Sequence, residues 1–191
     1  DGTTDITRTY PLGELTEDER KFYTWTLQCH IDIAKAVWLD YCDCHMIDTI
    51  AREPLWRHLI NYRCGTGHSV SFVGNVHEGP HALNGRNTTL MRPGMIVTDE
   101  PGVYETDLVG IRIENELVCV HKADNQYGTF LGFEPIMFVP IATSPIVPGV
   151  LTKDELDWLN NYHRQVFEKL APRLNDEERE WLAKKCAAIG C

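Results

Sequence analysis

"GMIVTDEPGVYETDLVGIRIENELVCV" (residues 94–120) holds the two clearest strand signals in the chain, separated by a Pro-Gly turn and a polar loop. Met95, Ile96 and Val97 lead into Glu100, the last residue before Pro101-Gly102. Beyond the loop, Ile111, Ile113 and Leu117 alternate with Arg112, Glu114 and Glu116, the period of two that puts successive side chains on opposite faces of a strand. The separation of Glu100 and Glu114 suits neighbouring antiparallel strands. A carboxylate amid Met, Ile and Val is costly to bury, and two facing ones more so, unless a cation neutralises them. Two exposed strand carboxylates, one paired with Arg112, would satisfy the same pattern.

Outward from this stretch the pattern changes. Upstream, "TDITRTYPLG" (4–13) reads as a strand closed by a turn. Thr16 with Glu19 three residues on predicts a capped helix reaching about Val37, and a second helix is predicted from Met46 to Leu59, bent or interrupted near Pro54. Downstream, the Pro-rich connector "PIATSPIVPG" leads to two helices, Lys153–Leu170 and Asp176–Ala188. Helices followed by a run of antiparallel strands predict an α+β fold.

The 191 residues are 43% hydrophobic and 24% charged, with a net charge of −10. That size suits one sizeable core. An acidic chain without Lys/Arg clusters disfavours nucleic acid, and the absence of an eighteen-residue apolar run argues against a membrane partner. The seven cysteines (29, 42, 44, 64, 119, 186, 191) are odd in number and scattered, which reads as reduced thiols and a cytoplasmic chain.

"CGTGHSVSFVGNVHEGP" (64–80) places His68 and His77 among four glycines, where backbone passes close to something or turns tightly. His77-Glu78-Gly79-Pro80-His81 has the letters of a zinc-peptidase helix motif, but Gly-Pro denies the helix that would put both histidines on one face. "CDCH" (42–45) lacks a second ligand pair at zinc-finger spacing and reads as helix-start residues. Asn87-Thr88-Thr89 is a glycosylation sequon that carries little weight without a secretory signal. Asp5, His68, Glu100 and Glu114 together form a mixed oxygen/nitrogen donor set that suits Mn, Fe, Co or Zn in a hydrolytic centre.

Asp5-Ile6-Thr7-Arg8-Thr9, Gly65-Thr66-Gly67-His68, Asn75-Val76-His77-Glu78-Gly79-Pro80, Asp99-Glu100-Pro101-Gly102 and Gly110-Ile111-Arg112-Ile113-Glu114-Asn115 resemble, in order, the motifs of the Xaa-Pro aminopeptidases (aminopeptidase P). These are pita-bread metallopeptidases related to methionine aminopeptidase, prolidase and creatinase. "FEPIMFVPI…LTKDELDWLNNYH" resembles the C-terminal extension of the long members. The resemblance implies the C-terminal half of a pita-bread fold over residues 1–140, with a helical extension over 141–191 packed on it. It implies an aminopeptidase that releases the residue before a second-position proline, using two divalent ions: Mn, or alternatively Zn or Co.

Carried over motif by motif, Asp5, His68, Glu100 and Glu114 would be metal ligands. Glu100 would also take a proton from the attacking water, His77 would face the substrate carbonyl, and Arg112 would complete the catalytic group. Cys64 and His77 would border the substrate. The family writes histidine at the place of Cys64, and glycine at the places of Ser69 and Ser71. Its first metal aspartate would fall upstream of Asp1, and Arg112 would normally brace it. These 191 residues alone are therefore expected to hold at most one metal, with impaired or no activity. A homodimer is expected for the complete protein. A catalytically dead binding module and a prolidase-type dipeptidase are the alternatives.

Overall fold

The computed structural model describes residues 3–190. Its elements are helix α1 (Glu17–Ala34), strand β1 (Val37–Leu39), helix α2 (Cys44–Trp56), the short strands β2 (Gly67–His68) and β3 (Ala82–Leu83), strands β4 (Ile96–Asp99), β5 (Gly102–Glu105), β6 (Val109–Arg112), β7 (Asn115–Asn125) and β8 (Gly128–Pro135), and helices α3 (Lys153–Leu170) and α4 (Asp176–Lys185). The architecture is α+β. A four-stranded antiparallel sheet runs in the order β1-β8-β7-β4, while β2 pairs with β3 and β5 with β6.

Capping sets the helix starts. Thr16, Thr152 and Asn175 each accept a hydrogen bond from the backbone N–H three residues on, and Glu19, Glu155 and Glu178 reach back to the cap. Asp43 caps α2 by accepting from the Met46 N–H, so the "CDCH" residues do open a helix. Three ends differ from the sequence reading. α1 stops at Ala34 because Val37 leaves to pair with Gly132 at the sheet edge. α2 runs through Pro54 but stops at Trp56; Leu59 adopts a left-handed φ of 59°, which no helix continues. α4 ends at Lys185, short of Ala188.

The "TDITRTYPLG" segment is extended but is not a ladder strand. Residues 5, 7 and 9 lie along 116, 114 and 112, and side chains make most of the links. The Asp5 N–H donates to Glu116 Oε1 (3.1 Å), the Thr7 hydroxyl donates to Glu114 Oε2, and the Thr9 hydroxyl donates to the Arg112 carbonyl (2.8 Å). One backbone bond, Glu114 N–H to the Thr7 carbonyl (3.0 Å), completes the seam. A ladder needs repeated backbone pairs, and threonine hydroxyls take their place here.

Among the described residues, a small apolar cluster of Cys29, Leu55, Tyr62 and Val103 accompanies two larger ones that hold most of the core. One packs Ile47 and Ala51 of α2 and Ile33 of α1 against Leu117, Cys119, Leu131 and Phe133 of the sheet. The other packs Leu156, Leu159 and Val166 of α3 against Leu27 and Ile31 of α1 and against Ile111 and Ile113. α1 therefore lies between the sheet and the C-terminal helices. The six described cysteines are free thiols; Cys191 lies outside the described residues.

Candidate metal centre

The pairings Asp99 with Asn115 (β4–β7) and Gly102 with Arg112 (β5–β6) belong to one antiparallel register, interrupted for two residues on each side. Continuing that register places Glu100 opposite Glu114 in the gap. Neither is an exposed strand carboxylate: Glu100 is 8% and Glu114 1% exposed, and Glu116 is buried as well. The face that alternation assigned to Arg112, Glu114 and Glu116 is thus turned inward against the segment around Asp5.

The glycine-rich strap brings in His68. A Cβ on Gly67 would lie 1.7 Å from the Thr98 carbonyl oxygen, so only glycine lets the strap pass this close to β4. The His68 N–H donates to Thr98 Oγ1 (2.9 Å), and that hydroxyl donates to Glu100 Oε1 (2.9 Å). On the other side of the strap, the Glu100 N–H donates to the Thr66 carbonyl (2.7 Å). Thr66 is fixed in turn by Asp48 and by Tyr62.

The His68 ring points into the gap. Its Nδ1 donates to the Ser69 carbonyl (3.1 Å), and Nε2 lies 3.0 Å from Glu100 Oε1 and 3.4 Å from Asp5 Oδ2. Arg112 Nη1 lies 3.3 Å from Glu100 Oε2. The His77 ring is exposed and stacks on His68, with centroids 3.8 Å apart. Cys64 is half-buried at the start of the strap, its thiol 3.9 Å from the Gly102 carbonyl. His81, in the loop just ahead of β3, is buried, with Nε2 2.7 Å from the Ile96 carbonyl. No helix runs through 77–81, so the zinc-peptidase motif is absent there.

The electrostatics follow from burial. Burial pushes Glu114 up; the Thr7 hydroxyl opposes this, but repulsion from Glu100 and Asp5 adds to it, and the carboxyl reaches about 7. Glu100 is also raised by burial, but hydrogen bonds from His68 and Thr98 and the charge of Arg112 outweigh that and hold it below its ordinary value. Burial pulls His68 down, yet Glu100, the Ser69 carbonyl and Asp5 together hold it above its ordinary value. Burial raises the Cys64 thiol, with Arg112 opposing.

Among the described residues, no three His, Cys, Asp or Glu side chains stand as a ready-made coordination shell; His68, Glu100 and Asp5 lean on one another instead. The donor chemistry nevertheless fits a divalent ion. The Nδ1–H bond to Ser69 fixes the ring with Nε2, here the donor to Glu100, turned toward the carboxylates; on losing that proton Nε2 would offer an ion its lone pair, the arrangement in which a histidine ligates. Asp5 repels both Glu114 and Glu116, and Glu100, paired with Arg112, repels Glu114, a crowding of carboxylates that a cation would relieve.

The model of metallopeptidase family M24 matches residues 1–121, and that of the C-terminal region of peptidase M24 matches residues 129–189. The chain belongs to the M24 metallopeptidases. Aminopeptidase P1 of Lotus japonicus is 43% identical over 100% of this chain and 30% of its own length; aminopeptidase P2 of Arabidopsis thaliana is 44% identical over 95% of this chain and 26% of its own. The chain therefore spans under a third of these relatives. Among M24 structures, the X-prolyl aminopeptidase of Caenorhabditis elegans, described as a cytosolic enzyme with a di-nuclear active site, matches 99% of this chain and 32% of that one, with a TM-score of 0.91 at 36% identity. Prolidase from Pyrococcus furiosus matches 70% of this chain, with a TM-score of 0.60 at 26% identity. The M24 pita-bread fold is thus shared with both, and the X-prolyl aminopeptidase shares nearly the whole chain.

Sequence reasoning missed Thr7, Thr98 and Glu116, each hydrogen-bonded to a candidate site residue. Thr7 and Thr98 did carry a signal, since each lies two residues from a candidate ligand in an extended stretch and so shares its face.

Proposed function

We propose that this chain contributes to an aminopeptidase that releases the N-terminal residue from peptides with proline in second position. The observation that carries the reading is the convergence of His68, Asp5 and Glu100 at the gap where Glu100 faces Glu114. The relatives matched along the whole chain are named aminopeptidase P or Xaa-Pro aminopeptidase, which supports it. Residues 1–140 would form the catalytic portion and 141–191 the extension.

Asp5, His68, Glu100 and Glu114 are the residues that would hold metal, with Mn the favoured ion. When bound, divalent ions supply a Lewis acid and lower the pKa of water. Glu100 would accept a proton from the attacking water, a role supported by its position between His68 and Arg112. Arg112 holds the second Glu100 oxygen, which orients the carboxylate. His77, stacked on His68 and open to solvent, would donate to the oxygen that gains charge as the peptide carbonyl is attacked. Cys64 borders the same space. The neighbour's cytosolic location and the free thiols support a cytoplasmic protein; the resemblance supports a homodimer.

The prolidase-type alternative is disfavoured because the prolidase match leaves out nearly a third of the chain. The test is a Mn titration with calorimetric detection, followed by assays of an Xaa-Pro-Xaa tripeptide against an Xaa-Pro dipeptide. Saturable Mn binding by this chain is expected; in the complete enzyme the tripeptide should be preferred, and His77→Ala there should lower kcat while leaving the metal content unchanged. Dipeptide preference would favour the prolidase reading, and no Mn binding would leave a binding module.

A further inference from the structure

We propose that Tyr162, on α3 of the C-terminal region, is a positioning residue for Glu114, acting through Arg8 and Asn115. The proposal rests on the metal reading of the site given above, and it assigns the C-terminal helices a part in metal binding.

Glu114 sits in the gap between β6 and β7, where no ladder fixes its backbone. Two contacts do so instead: its N–H donates to the Thr7 carbonyl, and its carbonyl accepts from Arg8 Nη1. The guanidinium of Arg8 is therefore one of the two main-chain anchors of a candidate ligand. Its other donors go to the Thr7 carbonyl (2.9 Å), the Val139 carbonyl (2.7 Å from Nη2), Asn115 Oδ1 (2.8 Å) and the Tyr162 hydroxyl oxygen (2.9 Å). One side chain thus ties together the Asp5 segment, the Glu114 backbone, the connector after β8 and α3.

The Tyr162 phenol holds this knot in place. It accepts from Arg8 and from the Val139 N–H (3.2 Å), and its own proton has Asn115 Oδ1, the Met137 carbonyl and the Val139 carbonyl within 3.1–3.2 Å. A phenol has one proton and two lone pairs, so all of its hydrogen-bonding capacity is used. Asn115 continues the network inward. Its Nδ2 faces His30 Nε2 at 3.3 Å, and His30 Nδ1 lies 2.9 Å from Asp99 Oδ2, an ion-pair contact off the line of a hydrogen bond. Asn115, His30 and Asp99 are fully buried. Asn115, next in chain to Glu114, is thus fixed in this buried polar network, and Asp99, next to Glu100, lies at its far end.

Tyr162→Phe removes the hydroxyl and keeps the ring, which stacks on Trp158 at 5.3 Å and 3°. Arg8 and the Val139 N–H each lose a buried partner, and Arg8, the donor to the Glu114 carbonyl, loses one of its braces. Loss of about one buried hydrogen bond from the ligand's support corresponds to roughly a tenfold weaker Mn affinity. The control is Asn160→Ala, two residues away on α3. Asn160 pins the chain after α4 through two bonds to Ile189 (3.0 Å each) and does not touch the network.

The experiment measures Mn affinity by calorimetry and amide hydrogen exchange of residues 112–118 without added metal, for the wild-type chain, both variants and Arg8→Lys. Tyr162→Phe should weaken Mn binding about tenfold and speed exchange at 112–118. Arg8→Lys, which keeps the charge without the fork, should do both more strongly. Asn160→Ala should lower the melting temperature and leave Mn affinity unchanged. Because a metal that binds only the folded state raises its stability according to its affinity, Tyr162→Phe should also shrink the Mn-dependent rise in Tm, which a purely structural lesion would leave intact. Wild-type Mn affinity in Tyr162→Phe, with or without faster exchange, overturns the proposal. A wild-type chain that binds no Mn overturns the metal reading itself, and the proposal falls with it.

Discussion

Replacing Arg52 with Met should destabilise the protein severely, and replacing its partner as well should restore much of the loss. Arg52 on α2 is buried, and its Nε lies 2.7 Å from Oδ2 of Asp48, which is 1% exposed. The remaining guanidinium nitrogens donate to Asn61 Oδ1 (3.2 Å) and to the carbonyls of Tyr62 (2.8 Å) and Cys64 (2.9 Å). Met fills similar volume but leaves Asp48 with an uncompensated buried charge and two carbonyls without their donor. Breaking one side of such a pair costs about 3–5 kcal/mol. For a chain of this size each kcal/mol moves Tm by roughly 2–4 °C, so a fall of about 6–20 °C is expected. The double variant Arg52→Met/Asp48→Leu removes both charges, and by the same argument should recover at least half of that loss. The lesion also reaches the candidate metal centre. Asp48 holds Thr66, and the Thr66 carbonyl holds the Glu100 N–H, so Mn affinity should fall with the single substitution. Thermal melts followed by circular dichroism, with and without Mn, measure both effects. A single variant that loses less than about 1 kcal/mol, or a double variant no more stable than the single, would refute the reasoning.

Three further outcomes are expected. Gly67→Ala would drive a Cβ to 1.7 Å from the Thr98 oxygen and 2.7 Å from its carbonyl carbon, both backbone atoms, so β2 and β4 must separate; a cost of about 3 kcal/mol or more is expected, with loss of Mn binding, and calorimetry on any soluble protein decides it. His163 is buried, accepts the Ile141 N–H (3.1 Å) and has its pKa pulled down to about 4 by burial and then by Arg8. The unfolded chain therefore takes up this proton first, so stability should fall as pH drops from about 6.5 to 4, by on the order of 3 kcal/mol; melts across that range should show a shallower slope in His163→Gln. In the full-length protein, Cys64→His places an imidazole beside Arg112 and Glu100, where burial raises the thiol above its ordinary value, and should raise activity or shift the pH profile of peptide hydrolysis; no change in either would make the position structural.

The order of elements was legible because their signals are local. Thr16, Thr152 and Asn175 each have a glutamate three residues on, and three of the helices start where these patterns lie. Helix ends were less legible because tertiary contacts set them: Val37 is claimed by Gly132 nearly a hundred residues away, and α2 ends ahead of the left-handed Leu59. Asp5, His68, Glu100 and Glu114 were readable as a donor set from residue chemistry, and their order along the chain matched known motifs. Their support was not readable. Tyr162 lies 154 residues from Arg8, and nothing in α3 distinguishes that tyrosine from any other on a packing face. The extended Asp5 segment looked like a strand for sound reasons, but its hydrogen bonds run through threonine hydroxyls, and β-propensity cannot separate the two cases.

The gap in the ladder links the fold to the chemistry. Directly opposed like charges on paired strands are destabilising even when exposed, and Glu100 and Glu114 are buried. An unbroken sheet would hold both carboxylates at fixed cross-strand spacing with no room between them. Interrupting the ladder at Glu100-Pro101 and Ile113-Glu114 frees the backbone groups of these residues for other partners, and the chain supplies them: the Thr66 carbonyl for Glu100, and Thr7 and Arg8 for Glu114. Each substitute partner comes from a segment that also delivers a donor to the gap, His68 two residues after Thr66 and Asp5 two residues before Thr7. The contacts that replace the ladder are therefore the ones that assemble the donor set. This accounts for two carboxylates facing each other in a protein interior: the backbone bonds lost at the interruption are recovered from the strap and the Asp5 segment, and the repulsion left over is what a divalent cation would neutralise.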